Sequence, residues 1–344
     1  MIQFRRWLFV YKDCLLYAVL ATVIVYFKHG DKYSKQSATL TTDGPVMSIA
    51  EFGEAYTKKY GTYRVLSDTI CLYDGKCVFV ADSLAPFAKE FVLIRKILTA
   101  DQTRVSSTLL KLPEALTEAN LDSSTWDVDT SVLPSGSYMK KMLGEIFASG
   151  AISPEAAAPL QILSIGLGSG YMNSFLHQHF PNFNVTVVEV DPKMYEIAEK
   201  WFKLHTNDRH RVVLEDGLSF IEKAARNGDR FDVLLLDACT INEYAQLMCP
   251  VDGFIAENAV DLASQVTGAE GVFIAHLHSL QYDITTIAEE LKPKFEKHFH
   301  NCVLKTTESS SHMVLTCSHH ARPNDLEFKL QDFVIGLKEV NIED

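Results

Sequence analysis

The stretch Ile162-Leu-Ser-Ile-Gly166-Leu-Gly168-Ser-Gly170, with Val185-Thr-Val-Val-Glu189-Val-Asp191 after it, constrains this chain most. It reads as an apolar strand, a glycine-rich turn that opens a helix, and a second strand closed by a carboxylate. Two later apolar runs also meet acids, in Leu214-Glu-Asp216-Gly217 and Phe231-Asp-Val-Leu-Leu-Leu-Asp237. Short apolar strands separated by helices form a mostly parallel sheet buried on both faces. Acids at successive strand ends then gather along one edge, where open α/β sheets hold their ligands.

The pattern predicts strands at 161–166, 185–190, 211–214, 231–236 and 271–277, with helices near 170–180, 192–204, 218–226 and 254–266. A helix over 282–296 and two strands around Cys302–Thr307 and His312–Cys317 follow, placing an antiparallel strand at one side of the sheet. Ahead of the sheet, Asp74-Gly75 between alternating apolar runs predicts a β-hairpin, because both residues tolerate the positive φ of a tight turn. Leu84–Thr99 reads as a helix with Pro86 in its first turn, and Tyr138–Ala148 as another. The expected organisation is an apolar segment over 1–30 and a small sheet with helical parts over 49–128. The α/β domain spans 129–320, and an extension over 321–344 includes an amphipathic element at 326–339.

A formal charge of −12 argues against a nucleic-acid surface, which needs concentrated Lys and Arg. Seven cysteines without a Cys-x-x-Cys pair read as buried or free thiols. Trp7 to Phe27 is apolar except for Lys12 and Asp13. Its unbroken part from Cys14 falls short of the ~20 residues that span hydrocarbon, but the whole segment suffices if Lys12 snorkels to the headgroups. The expectation is a membrane anchor over residues 7–27 with the folded part facing the cytoplasm. A soluble cytoplasmic protein with this segment packed as a helix, or a cleaved signal peptide, stands as the alternative.

Gly166, Gly168 and Gly170 let backbone amides approach a ligand closely. Glu189 lies 23 residues after Gly166, where a carboxylate accepts from the two hydroxyls of a ribose. These residues alone do not separate a nicotinamide dinucleotide from S-adenosylmethionine. Asp216, placed to accept from an adenine amino group, and Asp237 at the next strand end favour the cationic sulfonium cofactor.

Further residues narrow the reading. Asp129-Thr-Ser-Val-Leu133 with Tyr138, ILSIGLGSG at 162–170, His179-Phe180-Pro181 and VVEVDPKMYEIAEKWF at 187–202 carry a resemblance, as do DRHRVVLEDGLSFI at 208–221 and FDVLLLD at 231–237. Over somewhat more than half its length the chain resembles the spermidine-synthase-like branch of class I S-adenosylmethionine-dependent methyltransferases. Within that branch it resembles the C-terminal domain of the dual methyltransferases that modify translation elongation factor 1A.

The resemblance implies a seven-stranded, doubly wound, mostly parallel sheet preceded by a small antiparallel hairpin region. It implies cofactor contacts from Gly166 and Gly168, ribose binding by Glu189, adenine recognition by Asp216 and a catalytic acid at Asp237. It also implies a protein amine as acceptor and allows a homodimer. Polyamine synthases of this branch carry their acid within Asp-Ser-Ser-Asp-Pro. Here Asp237-Ala-Cys-Thr240-Ile241 lacks the second carboxylate, and Lys140 and Lys141 follow Tyr138, which weakens aminopropyl transfer. A non-catalytic cofactor-binding scaffold is the remaining alternative.

Tyr138, Asn242 and Glu243 are secondary candidates for the acceptor pocket. His276-Leu-His278 presents two histidines on one side of a strand, but no third metal ligand can be assigned, so they read as polar strand-end residues.

Overall fold

The computed structural model describes residues 44–87, 90–134, 137–153, 156, 158–323 and 338–340. Internal contacts divide the chain into one unit of residues 47–116 with 120–344 and another of residues 1–46 with 117–119. Every element named below belongs to the first.

That unit begins with helix α1 (Ile49–Tyr60), whose Glu51 amide donates to the Ser48 hydroxyl while the Glu51 carboxylate accepts from the Ser48 amide. This reciprocal arrangement satisfies two amides that a helix start otherwise leaves open. Strands β1 (Tyr63–Val65), β2 (Ile70–Cys71), β3 (Cys77–Phe87), β4 (Glu90–Thr99) and β5 (Arg104–Leu109) follow as one antiparallel sheet. The Asp74-Gly75 hairpin is present between β2 and β3, with Gly75 at φ 80°.

The helix expected over 84–99 is not. Those residues form the end of β3 and all of β4, paired in register with Asp82 opposite Arg95. The apolar residues fit a helical stripe, but the cross-strand partners decide. Asp82 and Arg95 are both fully buried and joined through two hydrogen bonds of 2.8 and 2.9 Å. Arg95 also donates to the carbonyls of Ser123 and Trp201.

Strand β6 (Val132–Pro134) pairs with a short strand at Lys338–Val340 and leads to helix α2 (Tyr138–Ala148). The main sheet alternates β7 (Leu160–Ile165), α3 (Tyr171–His179), β8 (Phe183–Glu189), α4 (Pro192–Phe202) and β9 (His210–Leu214). It continues with α5 (Gly217–Asn227), β10 (Phe231–Leu236), α6 (Glu257–Val266), β11 (Thr267–His278), α7 (Ile284–Glu296), β12 (Asn301–Thr306) and β13 (His312–Ser318). Its seven strands run in the order β12-β13-β11-β10-β7-β8-β9. Strand β13 is antiparallel to both of its neighbours.

Alternate residues feed the two faces. Ile162, Val185, Val187, Val233 and Leu235 pack with α2 and α3. Leu163, Ile165, Val188, Leu234 and Leu236 pack with α5, α6 and α7. Burial on both sides explains why these strands read as continuous apolar runs.

Two other expectations are corrected. The six cysteines of the described residues are not free: Cys71–Cys77, Cys239–Cys249 and Cys302–Cys317 are disulfides, while Cys14 lies outside the described residues. Two of these pairs are direct cross-strand partners, a juxtaposition that linear spacing does not reveal. The expected membrane anchor is not found, since no helix among the described residues is long and apolar enough to cross a membrane. Residues 7–27 themselves lie outside the described residues, as does most of the amphipathic element expected at 326–339.

Removing Asp82 strands a buried guanidinium. Asp82→Ala is expected to lower the unfolding free energy by about 3–5 kcal/mol, as for a broken buried ion pair. Glu196→Ala, which breaks the exposed Lys193–Glu196 pair, should change it by less than about 1 kcal/mol. Urea unfolding of the two variants checks both values.

Candidate functional site

Parallel register sets the geometry of the site. Ile165 stands beside Val188 on one side and Leu236 on the other, so β7, β8 and β10 stop together. The ladder runs slightly further, with Gly166 N donating to Val188 O and Asp237 N to Ile165 O, both at 2.9 Å. At this edge opens a cleft of about 280 Å³ lined by Gly166, Gly168, Glu189, Asp216 and Asp237. A larger hollow of about 710 Å³ lies between Val65–Cys71 and α4 and contains none of those residues.

The glycine turn is demanding. Gly166 has φ 97°, and a Cβ there would stand 2.4 Å from the Asp237 carbonyl oxygen. Gly168 is also left-handed and lines the cleft. Gly170 does not line it; it caps α3 at φ 73° and packs against Leu204.

Glu189 is buried at the end of β8. One carboxylate oxygen accepts from the Leu167 amide and the other from the Asp191 amide, each at 2.9 Å. Burial raises its pKa, against the lowering effect of those amides. The donors fix the carboxylate in the cleft wall while leaving each oxygen a further lone pair.

Asp216 is exposed, caps α5 through a 2.8 Å bond from the Ser219 amide, and still lines the cleft. Asp191 caps α4 through the Lys193 amide, and its other oxygen accepts from the Tyr73 amide at 2.8 Å. That bond ties the β2–β3 turn to the end of β8. Ser106 of β5 meets Ser169 of the glycine turn, so the antiparallel sheet supplies the cleft's second wall.

Asp237 joins a chain of polar groups. Tyr138 donates its hydroxyl to Oδ2 at 3.0 Å, and His276 Nδ1 lies 2.8 Å from Oδ1. A carboxylate only accepts, so His276 donates from Nδ1. Its Nε2 meets Nδ1 of His312 at 2.8 Å. The Tyr138 ring stacks on His276 with centroids 3.5 Å apart, and His278 stacks on His312 at 3.9 Å. Burial, followed by the Asp237 charge, raises the Tyr138 pKa well above its ordinary value.

His312 and Asp191 were not singled out by their chemistry in the sequence, and His276 was read with His278 only as a polar strand-end residue. The available signal was His276 within the apolar run Gly271–Leu277, since a buried imidazole there needs a polar partner. Asn242 and Glu243 turn to other partners, the Tyr244 amide and the Thr103 hydroxyl, and do not line the cleft.

The sequence model described as the spermine/spermidine synthase domain matches residues 145–326, more than half of the 344-residue chain. The chain belongs to this family. The eEF1A lysine and N-terminal methyltransferase homolog of Drosophila pseudoobscura pseudoobscura is 32% identical over 150 residues, covering 44% of this chain. Only 22% of that relative's own length is matched. The polyamine aminopropyltransferase of Vibrio vulnificus (strain CMCP6) is 32% identical over 121 residues, 35% of this chain and 38% of that protein. The crystal structure of a probable spermidine synthase from Corynebacterium glutamicum ATCC 13032 aligns with a TM-score of 0.53 at 14% identity. It covers 76% of this chain and 84% of that one, a likeness of fold.

Within this spermine/spermidine synthase domain the histidine stack has a pH signature. Burial, then the charges of His276, His278 and Arg104, lower the His312 pKa from 6.5 to about 2, and burial lowers that of His278. The unfolded chain therefore binds more protons below pH 6.5 than the native one, and stability falls as pH drops from 6.5 towards 2. His312→Gln is expected to flatten the slope of unfolding free energy between pH 6.5 and 4.5 by up to about 1.4 kcal/mol per pH unit. Denaturant midpoints across that range test this; parallel slopes for the two proteins would contradict it.

Proposed function

We propose that this chain is an S-adenosylmethionine-dependent methyltransferase that modifies a protein amine. One observation carries the reading: the glycine turn, the clamped Glu189 carboxylate, Asp216 and Asp237 share one cleft at the carboxyl edge of the sheet. The residues present suit the cofactor. Gly166 leaves the turn without a side chain, Glu189 keeps lone pairs for two ribose hydroxyls, and Asp216 stands one strand further along for the adenine amino group. Asn173 Oδ1, on the cleft wall, has no hydrogen-bond partner among the described residues and offers a buried acceptor to the amino-acid end of the cofactor.

When bound, the cofactor supplies an activated methyl group with a neutral thioether as its leaving group. The chain's own task is alignment and proton removal. An attacking amine needs a free lone pair, and Asp237 is the carboxylate in this cleft held by two side-chain donors. Tyr138 and His276 hold its two oxygens, and the remaining lone pairs are available to orient the acceptor nitrogen and take its proton.

The relatives' names include both methyl and aminopropyl transfer. Methyl transfer is favoured by the make-up of the cleft, where Ala238, Thr240, Ile241, Val251 and Phe254 line the wall together with Asp237. Thr240 stands where the polyamine synthases keep a second carboxylate, so a dicationic amine would find one negative partner instead of two.

Two variants separate cofactor binding from chemistry. Glu189→Ala is expected to weaken S-adenosylmethionine binding by about 10-fold or more, the loss of a hydrogen-bonded charged partner. Asp237→Asn should keep that affinity while slowing methyl transfer by about 10²–10⁴-fold, the range of a lost general base. Calorimetry and radiolabelled methyl incorporation into cell-extract proteins give the two readouts. Preferential binding of decarboxylated S-adenosylmethionine with putrescine turnover would overturn the reading.

A further inference from the structure

All six cysteines of the described residues are consumed in disulfides, and the three bridges lie in separate parts of the fold. Cys71–Cys77 locks the hairpin whose Tyr73 amide holds Asp191. Cys302–Cys317 joins neighbouring strands beneath α7, with both sulfur-bearing residues buried. Cys239–Cys249 closes the loop that follows Asp237. A redox sensor needs one labile pair at an exposed place. Pairing of all six, including one pair inside the core, is instead the pattern of a protein that folds where thiols are oxidised; the glutathione pool of the cytosol keeps them reduced.

The third bridge bears on the cleft directly. Cys239 is exposed and lines it, whereas Cys249 is buried, with its amide directed to the His278 carbonyl. The bond therefore anchors the cleft wall to the end of β11, beside the strand position of His276. One alternative shares these atoms. The donor atoms of Asp237, Cys239, Cys249 and His276 lie within 4.8 Å of one another, a set that would suit a tetrahedral zinc ion if both thiols were free. The sulfur–sulfur bond removes both thiolates from that set.

We propose that this domain folds and works in an oxidising compartment, where the Cys239–Cys249 bond fixes the acceptor-side wall of the cleft, and that its acceptors are proteins of that compartment. The last clause rests on the methyl-transfer reading; the others stand without it. Each bridge forms as two thiols release two protons and pass two electrons to the disulfide of an oxidoreductase, which leaves as a dithiol. An acceptor confined to the reducing cytosol is excluded.

The test uses the full chain with its own N-terminus, expressed in eukaryotic cells. Cells are quenched in acid, free thiols are blocked with N-ethylmaleimide, and unreduced peptides are mapped by mass spectrometry. The expected result is three linked peptide pairs and no alkylation at the six positions. Alkylation of Cys239 and Cys249 in most molecules overturns the proposal, and one zinc per chain accompanying it establishes the metal site instead. In a second arm, labelled S-adenosylmethionine is supplied with the protein to cytosolic and to organelle-lumen extracts. Labelling of lumenal proteins supports the acceptor assignment, and labelling confined to cytosolic proteins overturns it. No labelling in either extract, with the three bridges mapped, sinks methyl transfer and leaves the compartment assignment standing.

Discussion

The common stopping point of three parallel strands is the constraint from which the rest of the cleft follows. Ile165, Val188 and Leu236 share one level of the sheet, and within a residue of it β7, β8 and β10 give way to the glycine turn, the Asp191 cap and Asp237. Had β10 slipped by one residue either way, Asp232 or Asp237 would have taken the place that Val233 or Leu236 fills in a buried layer, at the cost of desolvating a carboxylate. The same packing that hides Val233, Leu234, Leu235 and Leu236 therefore delivers Asp237 to the glycine turn. Core and site are specified by one pattern.

Around that edge, carboxylates have different tasks set by their surroundings. Glu189 is desolvated and pinned by two amides, Asp191 bridges a helix start to the hairpin, and Asp216 combines helix capping with exposure. Asp237 alone is backed by a stacked tyrosine–histidine array. The array supports the carboxylate through directed hydrogen bonds and stacked rings rather than through a second carboxylate. This distinguishes the site from one designed to surround a polycation with several acids.

Much of this was legible in the residues. The strands of the main sheet and the helices between them announced themselves through short apolar runs, acidic caps and glycines, because each signal is local. Glu189, Asp216 and Asp237 could be placed at one edge for the same reason. What the sequence concealed was long-range. The stretch Leu84–Thr99 has spacing compatible with a helix, and only the pairing of Asp82 with Arg95 across β3 and β4 makes it a strand. His312 is 36 residues from His276, and Cys249 meets Cys239 only when the loop folds back. Partnerships of this kind belong to topology and leave no periodic trace.

The missing side chain at Gly166 has a mechanical consequence. Because its α-carbon rests against the Asp237 carbonyl, with no gap for even a methyl group, the two strand ends behave as a single solid shelf. The spacing between whatever is held above the turn and whatever approaches Asp237 is then governed by backbone-to-backbone contact. Loop motion elsewhere can admit or release molecules without altering that separation.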